Sequence, residues 1–338
     1  MKISDLGEFG LIESIKKSFP GRSSRTLVGI GDDAAALRIS PSSVLLATTD
    51  MLLEGVHFDL SFTDLFSLGW KSAAVNASDI AAMGGVPRYF LTSLGIPTGM
   101  SVEAVREFYR GFGAFTRSRK ASLTGGDTCR SRRGFVVGVT AFGEIKKSEV
   151  LRRSGARHGD TVFVTGTLGD AAAGLELLQK RGKGHGSRKQ KMSGFKELLQ
   201  KHLRPEPRIA EGRTLARSGC VSAMIDLSDG LSSDLGHICK QSGVGAEIYG
   251  DRIPLSPEIL KTEKTLKRSV LIYALSGGED YELLFTVPER KMRKYRSLRI
   301  SATPIGRITK RSGIVFVDKR GSKRRLEPGG YEHFRARV

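Results

Sequence analysis

An α/β or α+β protein is predicted by three features of the sequence. The chain has 338 residues, enough for two domains or one large one. Segments with strand character and segments with helical spacing recur in both halves. Glycine is abundant, at 41 residues, and falls in short clusters beside apolar runs, as tight turns between strands and helices require. An apolar fraction of 39% beside 27% charged residues fits a packed globular core.

The elements follow in order. Phe9 to Phe19 is amphipathic and predicts a short helix. Leu27 to Ile30 is an apolar strand running into GDDAA, and Val44 to Ala47 is a second strand ending in TTD. Leu68 to Met83 has helical spacing and small residues, so it should pack closely, and it stops at Gly84-Gly85 before Pro87. Tyr89 to Leu94 is a strand. Val102 to Arg119 is a helix capped by Ser101, with Glu103 in its first turn. GGDT then reads as a turn, and Phe135 to Phe142 as an apolar strand.

A second unit begins near Val150 with the turn SGARHGD. Thr161 to Thr165 is a strand, and TGTLGDAAAG leads into a helix through Leu178. Residues 181–195 are polar, basic and Gly/Ser-containing, which predicts a mobile surface excursion. Ile209 to Ser218 is a helix, Ala223 to Ile225 a short strand ending in DLSDG, and Leu231 to Gln241 the next helix. Tyr281 to Val287 is a strand after a Gly-rich turn. Pro288 to Leu298 is a basic helix, and Gly313 to Val317 a strand before the tail GGYEHF.

Composition excludes several function classes. No stretch approaches the roughly 20 apolar residues that span a bilayer, and the N-terminus has no signal-peptide pattern. A cytoplasmic protein without membrane partners is expected. Three widely spaced cysteines, Cys129, Cys220 and Cys239, fit neither a disulfide framework nor a Cys-rich zinc site. The net charge of +20 invites a nucleic-acid partner. Its excess lies mainly from Lys180 to Arg204 and in the C-terminal third, without the aromatic interleaving of single-strand platforms. No specific nucleic acid is therefore expected, and a basic surface around an acidic centre suits nucleotides and phosphate esters.

The acids gather in short Gly-flanked motifs: Asp32 and Asp33 in GIGDDAA, Asp50 in ATTD, Asp79 in NASD and Asp127 in GGDT. Asp226 and Asp229 lie in IDLSDG, and Glu279 and Asp280 close GGED. Each alone has a plain explanation, since Asp is a common turn and cap residue. Together, converging carboxylates raise one another's pKa unless cations neutralise them. Mg²⁺ is the natural partner, because it takes oxygen ligands and joins a few carboxylates to substrate phosphates. Thr48, Thr49 and Ser228 add hydroxyl or carbonyl oxygens beside these acids. Glycines let backbone N–H groups approach phosphate oxygens. This is phosphoryl-transfer chemistry in outline, without a GxxxxGK[ST], HRD or DFG motif. GTLGD lacks the GxGxxG of a dinucleotide loop.

At these motifs the sequence resembles the thiamine-monophosphate kinase family, within the superfamily of aminoimidazole-ribotide synthetase and selenophosphate synthetase. The matching segments are GEFGLI, VGIGDDAAAL, TTDMLLEGVHF, LGWKSAAVNASDIAAMGG and LTGGDT, followed by RRSGARHGD, VTGTLGDAAAGL, HLRPEPRI, IDLSDGLSSDLGHI, LSGGEDYELLFTV and GGYEHF. They span nearly the whole chain.

The resemblance implies a two-domain aminoimidazole-ribotide-synthetase-like α/β (α+β) fold. Residues 1–148 would form an N-terminal ATP- and magnesium-binding domain that contributes to a barrel-like homodimer interface, and 149–338 a layered C-terminal α/β domain. It implies that Asp32, Thr48, Thr49, Asp50, Asp79, Asp127, Asp226 and Asp229 contact several magnesium ions. Gly126, Asp127, Arg153, Ser228 and Tyr109 would bind the nucleotide, and His57, Glu279 and Tyr331 the acceptor. Without it, Arg153 is equally a solvated charge, Tyr109 and Tyr331 packing residues, His57 a structural histidine and Glu279 a cap.

The implied activity is ATP-dependent phosphorylation of thiamine monophosphate to thiamine diphosphate, the last step of its biosynthesis, giving ADP. The attacking group is a phosphate ester with a second pKa of about 6. It is mostly dianionic at neutral pH, so no side-chain base is nominated. Direct in-line transfer without a phosphoenzyme is expected, with metal held by Asp32, Asp50, Asp79, Asp127, Asp226 and Asp229 offsetting the repulsion of two polyanions. Among relatives, selenophosphate synthetases carry a reactive Cys or selenocysteine near the N-terminus, whereas the first Cys here is Cys129. Aminoimidazole-ribotide synthetase is disfavoured by SGGEDYEL with TTDMLLEGVHF.

Overall fold

Helix α2 (Leu65–Ala82) shows how small residues shape this molecule. Asp64 caps it, accepting from the Ser67 amide at 2.8 Å, and the chain turns at Gly84 with φ +79°. Ala73, Ala74, Ala77 and Ala81 are fully buried, so strands and helices approach it on nearly every side. Helix α3 (Val102–Ser118), capped by Ser101 as its sequence predicts, crosses it closely. A Cβ added at Gly69 would stand 1.9 Å from the Phe108 carbonyl, and one at Gly111 would stand 1.8 Å from that of Phe66. Only glycine fits at that crossing.

The computed structural model describes residues 3–19, 23–182, 194–327 and 329–330. Most of the predicted basic excursion, at 183–193, and the tail from Tyr331 onward lie outside the described residues. Helix α1 (Ile3–Ser18) has a non-helical break at Gly7, φ +68°, so its continuous part matches the predicted helix from Phe9.

A six-stranded sheet packs on α2 and α3. It is built from β1 (Thr26–Val28), β2 (Ala35–Arg38), β3 (Ser43–Leu53), β4 (Val86–Pro97), β5 (Ser122–Ser131) and β6 (Val136–Lys146), in the order β1-β2-β3-β6-β4-β5. All neighbours are antiparallel except β4 and β5. GGDT is therefore not a turn. It lies inside the extended edge strand β5, where a Cβ at Gly126 would stand 1.9 Å from the Thr92 carbonyl. Its glycines serve close backbone approach, not a reversal.

A seven-stranded sheet follows, in the order β13-β12-β9-β11-β7-β10-β8. Its strands are β7 (Thr161–Thr165), β8 (Ala223–Asp226), β9 (Gly245–Tyr249), β10 (Leu283–Val287), β11 (Ala302–Thr309), β12 (Gly313–Val317) and β13 (Lys323–Leu326). Its helices are α4 (Asp170–Gly182), α5 (Lys196–Leu203), α6 (Ile209–Ser218), α7 (Leu231–Ser242), α8 (Pro257–Leu266), α9 (Val270–Ser276) and α10 (Met292–Ser297). Strand β10 starts two residues later than predicted because Tyr281 is left-handed, φ +51°. The predicted basic helix is a 3₁₀ turn, Glu289–Lys291, followed by the short α10. One buried cluster joins Phe90, Phe112 and Val139 of the first sheet's core to Phe163, Met224 and Phe285 of the second. Among the described residues, no helix is long and apolar enough to cross a membrane.

Candidate active site

The two sheets meet at α2, and three acids converge there. Asp33 follows β1, Asp79 is on α2 and Asp226 ends β8. One oxygen from each lies within 4.8 Å of the others. Neighbouring hydroxyls orient them: Thr48 donates to Asp79 at 2.5 Å, and Ser78 donates to Asp226 at 2.6 Å. Consecutive residues of α2, Ser78 and Asp79, thus tie β8 and β3 to one point.

Burial and mutual repulsion strain this group. Asp226 is pushed up to about 7, first by burial and then by Asp33. Burial, then Asp50, Asp226 and Asp33, hold Asp79 well above the usual carboxylate range. Burial brings Asp50 to about 6, and burial followed by Asp33 brings Asp32 to about 6. Arg153 offsets part of the charge, with Nε at 2.9 Å and Nη2 at 2.6 Å from Asp33 Oδ1. Asp33 Oδ2 is buried without a hydrogen-bond partner. A buried anionic oxygen without a donor, among carboxylates that resist ionising, is what a hard cation with oxygen ligands relieves. The donor set therefore fits Mg²⁺.

The GDD pair is the first revision. Asp33, not Asp32, joins the three-acid group. Asp32 stands beside it, half-buried, accepting from the backbone of Asp33 at 3.1 Å and of Arg153 at 3.3 Å. The pleat divides the TTD motif. Thr48 and Asp50 share the helix-facing side of β3, whereas the Thr49 hydroxyl donates to the Val139 carbonyl at 3.0 Å on the exposed side. The Thr49 hydroxyl therefore faces away from the cluster. Asp127 is register partner to Ser93 and lies in the row of Gly138 and Met51, so it too faces the exposed side, away from Asp50. The structure does not bring Asp127 to the cluster.

Gly126 pairs with Thr92, whose Oγ1 is 3.1 Å from the Tyr109 hydroxyl. Tyr109 lines a groove of about 660 Å³ with Val105, Arg106 and Arg110. Two nucleotide candidates thus stand beside one basic groove. Asp229 and Ser228 lie in the loop before α7. Buried Asp234 of α7 anchors that loop by accepting from the Asp229 amide at 3.2 Å and the Gly230 amide at 3.0 Å. Asp234 was not singled out from the sequence; its place one turn into a helix after Gly230 was the available signal.

Of the acceptor candidates, His57 is half-buried after β3, with Nδ1 accepting from the Leu53 amide at 3.0 Å. Glu279 meets two residues that the motifs left unassigned, Lys71 at 2.7 Å and His202 at 3.0 Å. Burial pushes Glu279 up, but Lys71 and His202 outweigh it and hold its carboxyl well below the usual range. The Tyr281 phenol is pushed up by burial and then by Glu279, Asp50, Asp226 and Asp79, so it stands in the field of both the cluster and Glu279. Asp280 has a structural role: it caps α4, accepting from the Gly169 amide at 2.6 Å and the Ala171 amide at 3.2 Å. Tyr331 lies outside the described residues.

Comparison with known proteins bears on this geometry. Residues 31–145 match the family described as AIR synthase related protein, N-terminal domain, and residues 157–319 match its C-terminal domain. The chain is 39% identical over 335 residues to the thiamine-monophosphate kinase of Aquifex aeolicus, covering 99% of this chain and 100% of that one. It is 38% identical over 338 residues to that of Escherichia coli K12, covering 97% and 98%. Among solved structures, AaThiL complexed with AMPPCP and TMP superposes with a TM-score of 0.85 at 37% identity, covering 98% of this chain and 99% of that one. The hydrogenase maturation protein HypE of E. coli, at 19% identity and a TM-score of 0.66 over 95% of this chain and 98% of its own, shares the fold.

Proposed function

The chain belongs to the thiamine-monophosphate kinase family, and from that premise we propose that it transfers the γ-phosphoryl group of ATP to thiamine monophosphate, giving thiamine diphosphate and ADP. The observation that carries this is the convergence of Asp33, Asp79 and Asp226 beside Arg153, in a chain that superposes on AaThiL complexed with AMPPCP and TMP.

Asp33, Asp79 and Asp226 would hold magnesium, with Asp32, Asp50, Asp229, Thr48 and the Thr49 carbonyl around them. Bound there, magnesium would join polyphosphate oxygens to the carboxylates and offset their charge. Arg153 adds a fixed guanidinium, 19% exposed, at the edge of that field. Ser228 and the Gly126–Tyr109 side are assigned to the nucleotide, and Asp127 remains a nucleotide and metal candidate on the exposed strand. His57, Glu279 and Tyr331 are assigned to the acceptor. The acceptor phosphate is itself the nucleophile, so the chain's task is to align two polyanions for direct in-line transfer. We retain a domain boundary near residue 148, in the crossing between β6 and β7, and a cytoplasmic location, where ATP is available.

The assay is chromatography of products from ATP, Mg²⁺ and thiamine monophosphate. Expected are thiamine diphosphate and ADP in equal amounts, no reaction with free thiamine, and no phosphate retained on the protein. Folded, magnesium-loaded protein that forms no thiamine diphosphate would refute the assignment.

We propose a homodimer closed over the exposed face of the first sheet. Met51, Tyr89 and Leu91 stand there 60%, 48% and 36% exposed, an apolar area that a monomer would leave in water. Light scattering should give twice 36.7 kDa at micromolar protein, and Leu91→Glu should lower that mass towards the single chain. A wild-type mass of one chain would sink the dimer.

A further inference from the structure

Lys71 and His202 come from two helices far apart in sequence, and both end on Glu279. Lys71 is 1% exposed on α2, with Nζ 2.7 Å from Glu279 Oε1. His202 is 2% exposed on α5, with Nδ1 3.0 Å from Oε2. Each carboxylate oxygen thus has its own buried nitrogen at ion-pair distance, at angles outside hydrogen-bond geometry. The Glu279 side chain is 26% exposed, so it keeps one open side.

The backbone beneath it is held as firmly. Glu279 and Tyr281 are both left-handed, φ +68° and φ +51°, a conformation that side chains with a Cβ adopt only when their surroundings impose it. The Glu279 amide donates to the Ser228 carbonyl at 2.8 Å, and the Tyr281 amide donates to the Leu227 carbonyl at 2.9 Å. A Cβ at Gly278 would stand 2.3 Å from the Ser228 carbonyl. The loop carrying Glu279 is therefore bolted to the loop that follows Asp226. A lysine is buried this deeply only when paired. Here its charge balances that of Glu279, so the clamp as a whole is close to neutral. What its open side offers is a fixed hydrogen-bond acceptor, not a net negative charge.

We propose that Lys71 and His202 are positioning residues for the phosphoryl acceptor: they hold the Glu279 carboxylate in one orientation, so that its open side accepts a hydrogen bond from the amino group of the thiamine pyrimidine. This rests on the assignment of Glu279 to the acceptor. It makes the clamp a determinant of which heterocycle is phosphorylated, separate from the carboxylates that face the phosphates.

Steady-state kinetics on the full chain tests it, with thiamine monophosphate and its oxo analogue, in which a carbonyl replaces the amino group, as parallel acceptors. Lys71→Met and His202→Gln should each raise the KM for thiamine monophosphate about tenfold, leave the KM for ATP within about twofold, and narrow the preference for the amino acceptor. Glu279→Gln should do the same. Lys71→Met added to Glu279→Gln should have little further effect, because the partner it acts through is already altered. That double variant leaves no unpaired buried charge, so together with His202→Gln it decides the matter even where Lys71→Met alone does not fold. A raised acceptor KM in Glu279→Gln with unchanged values in His202→Gln and Lys71→Met overturns the positioning role alone. An unchanged acceptor KM in Glu279→Gln overturns the assignment of Glu279 itself. A rise in the ATP KM equal to that for the acceptor means general disruption and overturns the inference.

Discussion

Asp226→Asn is expected to lower kcat by about 10²–10³-fold, the effect of removing one well-placed electrostatic group, while making the metal-free protein harder to unfold at about pH 8. The two effects have one cause. Asp226 is 1% exposed, and burial with Asp33 beside it pushes the carboxyl up to about 7. Above that pH the native state holds an anion it would sooner protonate. Each unit of upward shift opposes folding by about 1.4 kcal/mol. Asn keeps the shape and an acceptor for the Ser78 hydroxyl, at 2.6 Å in the native protein. The expected gain is therefore on the order of 1–3 kcal/mol in urea unfolding with EDTA present. Added Mg²⁺ should then stabilise the variant far less than the wild type, because binding to the native state alone is what stabilises. Were Asp226 only a partner for Ser78, the variant would keep its turnover and its response to Mg²⁺. A variant with wild-type kcat and a wild-type response to Mg²⁺ would remove Asp226 from the metal site.

How far the sequence reached is decided residue by residue. Helix α2 was legible because its small residues recur at helical spacing and a glycine pair ends it, and Asp79 came with it. The pleat was legible too but went unused: alternation alone places Thr48 and Asp50 on one side of β3 and Thr49 on the other. GGDT misled because paired glycines signal turns, whereas in β5 they answer to the backbone of β4, which only the sheet order reveals. The choice between Asp32 and Asp33 depended on where Arg153 arrives, a contact between distant segments. Lys71 and His202 sit in ordinary helical patterns, and nothing local marks them as partners of Glu279. Helix α8 carries its own signal in Ser256 as cap with Pro257 in the first turn. Local periodicity and capping are written along the chain. Which acids share a face, and which cation reaches them, is settled by strand order and helix crossing.

The metal-free protein should also lose stability as pH rises from about 6.5 to about 8, by on the order of 5 °C in Tm, and Mg²⁺ should flatten or reverse that slope. The sign follows from which state holds more protons. Asp226, raised from 3.8 to about 7, is protonated in the native state through a range where the unfolded chain has already ionised. Asp79 is raised well above the same starting value. As pH climbs through these native values, the native state loses its extra protons and with them its advantage. At lower pH an opposing effect enters. Burial, followed by Arg153, lowers His237 to about 4 from 6.5, and burial and Lys71 lower His202, so the unfolded chain gains protons first below about 6.5. That effect fades over the next pH unit, and from about 7.5 upward the raised acids alone contribute. Asp280, raised to about 8 by burial, adds its own decline, but it caps α4 and holds no metal, so it acts equally with and without Mg²⁺. The difference between the EDTA and Mg²⁺ series therefore isolates the cluster, since the cation binds the ionised carboxylates and its hold tightens as they lose protons. Differential scanning fluorimetry in both series measures it. Divergent slopes, with the divergence lost in Asp226→Asn, place the cation among Asp33, Asp79 and Asp226; parallel slopes would mean that the cation binds elsewhere, and the role of these acids in phosphoryl transfer would fall with them.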